Sequence, residues 1–458
     1  MKQQVARKEL LGHAVTGVGQ NLIFALWGNM MLFFTDGMMI PIGAAGMIVA
    51  LTRIWDGIND PMMGMIADRT RSRWGRYRPW LLWMTVPVGV LIVLSFTAPN
   101  LPVGGRIAYA AIIYVLTSMA YTSIDVPYWS LPAAMTTDSG QRTKIYSLSR
   151  TMGVLAVLVV SILVPPLVSA VGGTTASGTV NYAKGFPPIA VAVALLGIAC
   201  SLTGFFLVRE HIAPAAQQPV KLSESLTVIT HNKPLLLILI ASILSSSLFN
   251  TRTGLGSYYA AVNLGDYGLA SLLTVVALPG MVLGMVLTPA LAKRVGKKTL
   301  FIGVCLFGLV MNVILFFVGY QNLLVFGVIS AIGSLSMGVT PILTSSMIAD
   351  TIEYAEWKTG QRREGLICST QTLVAKFATA ISGLLISLVL TVAGYVVGSA
   401  AQTQQVYAMF HFAYTLLVSI GCLLAILPML AYPLTEKRHD EIVAELAARS
   451  AQKEAVAE

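Results

Sequence analysis

Two apolar stretches of this chain carry carboxylates at spacings that could do chemistry. The first reads Arg53-Ile54-Trp55-Asp56-Gly57-Ile58-Asn59-Asp60-Pro61. Asp56 and Asp60 stand at i and i+4, so a helix places both carboxylates on one face. Asn59 adds a neutral amide oxygen beside them. Two like charges that close repel, so the pair calls for a cation or a shared proton. Several oxygens in one place suit a hard monovalent cation, by the logic that governs other hard cations. Pro61 frees a backbone carbonyl nearby by breaking the helical ladder. The plainer alternative is a structural Arg53–Asp56 pair with Asp60 at a helix end.

The second stretch reads Tyr121-Thr122-Ser123-Ile124-Asp125-Val126-Pro127-Tyr128-Trp129. Thr122, Asp125 and Trp129 fall at i, i+3 and i+7, again on one face. A carboxylate accepts paired hydrogen bonds from neighbouring sugar hydroxyls. A Trp one turn away offers a flat apolar face and one N–H donor. Together they make a sensible carbohydrate site, against the alternative of Trp129 as an interfacial anchor. Thr122 can lend its hydroxyl to Asp56 and Asp60. Arg150 and Lys376 are candidates to neutralise the carboxylates or to donate to substrate oxygens. Lys376 is the stronger, because its depth makes an unpaired ammonium costly. Thr372 lies one turn before it. Sodium at Asp56 and Asp60 is favoured, since Asn59 and Thr122 supply neutral oxygens that a proton would not need; a raised carboxylate pKa would serve a proton.

These groups stand out because of the chain around them. Of 458 residues, 56% are hydrophobic and only 11% charged, with a mean hydropathy of +0.75. That balance excludes disorder and argues against a soluble globular fold. A charge at mid-bilayer costs at least ~2.5–3.5 kcal/mol, so several of them mark a function. Apolar segments fall near 11–35, 42–67, 79–98, 105–136, 150–172, 186–208, 234–262, 266–292, 299–319, 322–348, 365–396 and 404–432. Each is long enough to span as a helix, and lipid leaves the backbone few alternatives. The expected class is an all-α membrane protein with twelve transmembrane helices.

The net charge of +10 is no nucleic-acid signature. Lys and Arg gather in the loops after every second span and at both ends, while the opposite loops hold only Arg106 and Lys184. This predicts both termini in the cytoplasm of a multi-pass cytoplasmic-membrane protein. The polar stretch 209–233 separates two six-span halves, 1–208 and 234–432, with 433–458 as a cytoplasmic tail. A basic, Gly-containing turn recurs at matching places, Asp68 to Arg76 after span two and Ala292 to Lys298 after span eight, as an internal repeat predicts. That layout is the major facilitator fold. The tail reads as a charged amphipathic helix, solvated and without specific function. Asp68, Arg76, Asp350, Glu353, Glu356 and Arg362 form mixed-charge cytoplasmic loops able to pair between halves, or simply to be solvated. The four cysteines lack metal spacing, and the five histidines, His13 among them, are scattered singly. No P-loop, nucleophile elbow or dinucleotide fingerprint is present. The expectation is therefore no enzyme and no cofactor beyond a coupling cation.

The Arg53–Pro61 run, then Asp68-Arg-Thr-Arg-Ser-Arg-Trp-Gly-Arg-Tyr-Arg-Pro-Trp80, resembles the glycoside–pentoside–hexuronide:cation symporters of the major facilitator superfamily. Asp125 to Trp129 and Asp350-Thr-Ile-Glu-Tyr-Ala-Glu-Trp-Lys-Thr-Gly360 resemble further motifs of that family. The similarity runs from span one to the tail. It implies that Asp56, Asn59, Asp60 and Thr122 form a cation site, and that Asp125, Trp129, Arg150 and Lys376 lie in or beside a sugar site. Where the family's galactoside carriers have an acidic residue in span one, this chain has Gln20 followed by Asn21. Pro341 likewise replaces an aromatic residue. Those departures leave other glycosides, pentosides or hexuronides open. The implied activity is uptake of a sugar with Na+ or H+ by a monomer in the lipid bilayer. A lipid or amphiphile transporter and an uncoupled sugar facilitator or sensor are the alternatives.

Overall fold

The computed structural model describes residues 5–136, 139–176, 178–212, 232–359, 364–399 and 401–457. Among these the regular structure is helical, with two isolated β-bridges, Ser72–Gly75 and Thr174–Val180. In chain order the helices are α1 (Arg7–Trp27), α2 (Ile42–Arg69), α3 (Arg78–Trp83), α4 (Thr85–Ser95), α5 (Val103–Met135), α6 (Ser139–Gly172) and α7 (Tyr182–Leu207). There follow α8 (Lys233–Val262), α9 (Ala270–Val295), α10 (Lys297–Val318), α11 (Leu323–Gly333), α12 (Leu335–Thr359), α13 (Glu364–Ala393), α14 (Gln404–Leu430) and α15 (Glu436–Ala457).

Nine helices among the described residues are long and apolar enough to cross a membrane. The first three expected spans fall outside that set for visible reasons. Span one is broken after Trp27 and finishes in a π-helical turn, Phe33–Gly37. Span two is one helix, α2, but carries Arg53, Asp56 and Asp60 mid-way. Span three is divided at Met84 between α3 and α4. Pro61 sits inside α2, and Pro127 and Pro132 inside α5. Each removes a ladder donor, so α5 carries freed carbonyls where it passes the candidate substrate residues.

The chain forms two compact units. Unit one holds 1–216 with 254–274 and 383–410. Here α1 lies against α6 and α7, and a Cβ on Gly19 would meet the Gly197 carbonyl at 3.0 Å, so only a small residue allows this approach. Unit two holds 217–253, 275–382 and 411–458, around a core that includes Leu235, Phe301, Leu343, Ile348 and Met429.

The tail differs from its expectation. Ile442 on α15 is fully buried in the unit-two core, with Leu446 packed against it. Trp357 donates from Nε1 to Glu445 at 2.6 Å, and Glu436 accepts the backbone N–H of Lys297 at the start of α10. The apolar stripe of an amphipathic helix finds a cover here instead of staying in solvent.

Candidate functional site

The α2 and α5 helices adjoin within unit one, and their facing polar residues make a carboxylate cluster. Asp56 is 3% exposed. Its Oδ2 accepts from Arg53 Nη1 at 3.0 Å, and its Oδ1 accepts from the Ser118 hydroxyl. One turn on, Asp60 Oδ1 accepts from Thr122 Oγ1 at 3.1 Å. Asn59 is buried, and its Nδ2 has no hydrogen-bond partner. The four residues assigned to a cation from sequence thus gather on facing sides of two helices. Arg53 is their neighbour in a cage of its own. Its guanidinium lies 4.9 Å from the Trp27 ring centroid and 3.4 Å from the Tyr114 hydroxyl. The Arg53–Asp56 pair of the plainer reading is present, and the Asp60–Thr122 bond lies one turn further along α2.

One turn along α5 from Thr122 stands Asp125. Trp129 Nε1 donates to Asp125 Oδ1 at 3.0 Å, so the carboxylate and the ring form one surface. Arg150 of α6 stacks over the ring, its Cζ 4.1 Å from the centroid, as a cation–π contact. Tyr146, one turn before Arg150, donates to the Trp129 carbonyl at 3.0 Å. Asp125 and Trp129 are partly exposed and Arg150 is exposed, so the charged edge is accessible. A carboxylate, a ring face and a guanidinium on one surface can accept, stack against and donate to a polyhydroxylated ring.

The expected substrate residues also include Gln20, Lys376 and Thr372. Gln20 is 4% exposed and lines a small cavity with Thr85, Tyr121 and Ser201. Its Nε2 lacks a partner. The next residue, Asn21, faces α6 instead: its Nδ2 sits where a Cβ on Gly153 would lie, 2.7 Å away, one turn past Arg150. The side of span one that points towards Arg150 is thus that of Asn21. Lys376 is half-buried on α13 in unit two. The side chain of Thr372 and all of Arg362 lie outside the described residues.

Of the charges expected in cytoplasmic loops, Asp68, Arg76, Asp350 and Glu353 have partners within their own units. Asp68 accepts from the Tyr77 hydroxyl at 2.7 Å and meets Arg76 at 3.7 Å. Burial, then the Asp68 bond, holds the Tyr77 phenol above its ordinary range. In unit two, Lys297 Nζ donates to both oxygens of Asp350, at 2.8 and 2.5 Å. Glu353 lies 3.7 Å from His439 of α15, and Glu356 also sits on α12.

Sequence reasoning missed Ser118, Tyr146 and Asp36. Asp36 ends span one, is buried, and accepts from Tyr395 at 2.6 Å and Thr35 at 2.7 Å. An acid at the end of an apolar run looks like an interfacial residue, and no spacing singles it out.

A family model described as MFS/sugar transport protein matches residues 11–436. The isoprimeverose transporter of Lactiplantibacillus pentosus is 28% identical over all of this chain and 95% of its own length. The glucuronide carrier protein homolog of Escherichia coli K12 is 29% identical, over 97% of this chain and 96% of its own. Among solved structures, a D-xylose-proton symporter superposes with a TM-score of 0.63 at 10% identity, over 91% of this chain and 96% of that one.

Proposed function

The chain belongs to the MFS/sugar transport protein family, an all-α membrane fold of transporters and not of enzymes, and from that premise we propose that it imports a sugar or glycoside together with a monovalent cation. Relatives named for isoprimeverose and for glucuronide support a glycoside or hexuronide as the substrate class. Both halves of the task meet on α5. Thr122 holds Asp60 at the cation cluster, and one turn later Asp125 holds Trp129 at the substrate surface. That single-turn separation is the observation that carries the reading.

The mechanism follows from the charges. Arg53 compensates Asp56. Sodium binds beside it at Asp60, Asn59 and Thr122, and neutralises the second carboxylate. With that charge balanced, α5 settles, and Asp125, Trp129 and Arg150 take the sugar. Coupling is reciprocal, so sugar tightens the cation equally. The two six-helix halves of a twelve-span chain, both termini cytoplasmic, then rock around the site. A membrane potential contributes about 2.3 kcal/mol per 100 mV for each charge carried inward. A monomer suffices, with Lys376 of the second half as a further donor to the substrate.

Uptake of a panel of glycosides, pentosides and hexuronides into vesicles, with a sodium or a proton gradient imposed, tests this. Gradient-driven accumulation of at least one sugar is the expected result. Accumulation indifferent to both gradients overturns it.

A further inference from the structure

His13 is completely buried, and it touches the chain neighbours of both Trp129 and Arg150. Its ring Nδ1 lies 2.7 Å from the Ser149 hydroxyl, and its Nε2 lies 3.2 Å from the Tyr128 carbonyl. The ring stacks on the Tyr128 phenol, with centroids 4.3 Å apart and planes 15° apart. Ser149 precedes Arg150, and Tyr128 precedes Trp129. One imidazole on α1 therefore holds the backbone behind the aromatic platform and the residue behind the guanidinium that covers it.

The reason lies in the sequence Tyr128-Trp129-Ser130-Leu131-Pro132. In a continuous helix the Tyr128 carbonyl would accept from the N–H four residues on. That residue is Pro132, which has none. The carbonyl is buried with Tyr128, which is itself fully buried, and an orphaned buried acceptor is costly. A carbonyl only accepts, so His13 Nε2 carries the proton and donates. In the neutral ring Nδ1 is then bare and accepts from Ser149 Oγ. Gly17, one turn on from His13, makes room, because a Cβ there would overlap the Tyr128 hydroxyl. Tyr146 braces the next carbonyl, that of Trp129.

We propose that His13 is a positioning residue for substrate binding, which fixes the stack of Arg150 on Trp129 by pinning Tyr128 and Ser149. The proposal rests on the sugar-binding reading of Asp125, Trp129 and Arg150. His13 touches none of the accessible edge, so it acts through those two neighbours alone.

The test uses purified full-length protein labelled with 5-fluorotryptophan. The Trp129 signal, one of seven, is assigned by its loss in Trp129→Phe. Arg150→Ala uncovers the ring and marks where the uncovered signal falls. His13→Leu, and the milder Ser149→Ala, move the resonance towards that position, while His13→Gln, which keeps an amide donor for the Tyr128 carbonyl, stays near the wild-type position. In vesicles, His13→Leu and Ser149→Ala raise the KM for the best sugar about tenfold, with Vmax held within about twofold, as expected when substrate binding is lost equally in the ground and transition states. A Trp129 resonance unmoved in both variants overturns the proposal. So does a moved resonance with an unchanged sugar KM. If the wild type takes up no sugar at all, the sugar reading fails, and the fluorine signal still decides whether His13 holds the platform.

Discussion

Arg53 donates to Asp56 at 3.0 Å, one turn apart on the same buried helix face. The acid is the more deeply enclosed partner, with 4% of its side chain exposed against 15% for the arginine. Removing one member of such a pair strands a buried charge and costs about 3–5 kcal/mol, whereas replacing both with apolar groups is often neutral. Arg53→Met is therefore expected to lower the melting temperature in detergent sharply, and Arg53→Met with Asp56→Leu to regain most of the loss. Equal melting temperatures for the single and double variants would mean that the pair is not what compensates Asp56.

Asp60 and Thr122 give the coupling prediction. Asp60→Asn removes the charge that a cation would neutralise but keeps a polar group of the same shape. Sugar binding should persist and lose its dependence on sodium. Thr122→Ala deletes one neutral oxygen, worth about 0.5–1.5 kcal/mol, so half-maximal stimulation should need roughly 2–10-fold more sodium. Equilibrium sugar binding measured across a sodium titration checks both. Unaltered sodium dependence in Asp60→Asn would remove Asp60 from the cation site.

Asp125 accepts from Trp129 and, in the proposed site, is also the acceptor for a sugar hydroxyl. A hydrogen bond to a charged group contributes about 1.5–3 kcal/mol, so Asp125→Ala should weaken sugar binding by roughly 10–150-fold while the fold survives. Calorimetric titration with the sugar identified by uptake measures this, and circular dichroism confirms the helices. Wild-type sugar affinity in that variant would place the substrate elsewhere.

Much of this was legible because lipid makes a buried charge conspicuous. Spacing puts Asp56 with Asp60, and Thr122 with Asp125 and Trp129, on one face of each helix, and the structure shows Thr122 bonded to Asp60 and Trp129 bonded to Asp125. What spacing does not carry is contact between helices. Ser118 reaches Asp56 from α5, and nothing about an isolated serine announces that. Gln20 and Asn21 are adjacent, so their side chains point about 100° apart, and sequence alone did not settle which one faces Arg150. His13 looked like a scattered histidine; the only clue was Pro132, four residues after a tyrosine, which leaves a carbonyl in want of a donor. The charged composition of the tail predicts solvation, although its apolar stripe is long enough to cover part of the unit-two core.

The basic turns of the two units repeat a contact as well as a composition. In unit one Glu210, just past α7, accepts from the backbone N–H groups of Arg76, Tyr77 and Arg78 at 2.9, 2.7 and 2.9 Å. In unit two Glu436, just past α14, accepts from Lys297. Each carboxylate lies against a glycine of positive φ, Gly75 at 109° and Gly296 at 83°. A Cβ on Gly75 would come within 2.5 Å of Glu210 Cδ, and one on Gly296 within 2.8 Å of a Glu436 oxygen. Carboxylates at helix starts are also favoured by the exposed N–H groups and the helix dipole. Glu210→Ala strips three donors of their acceptor and should cost about 1–3 kcal/mol. Gly75→Ala meets the left-handed backbone penalty of roughly 1–2 kcal/mol and displaces the same carboxylate, so the two changes made together should cost less than the sum of each alone. Thermal unfolding of the single and double variants measures this. Strictly additive losses would show that the glycine and the glutamate act independently, and that the matched turns are a likeness of sequence without a shared contact.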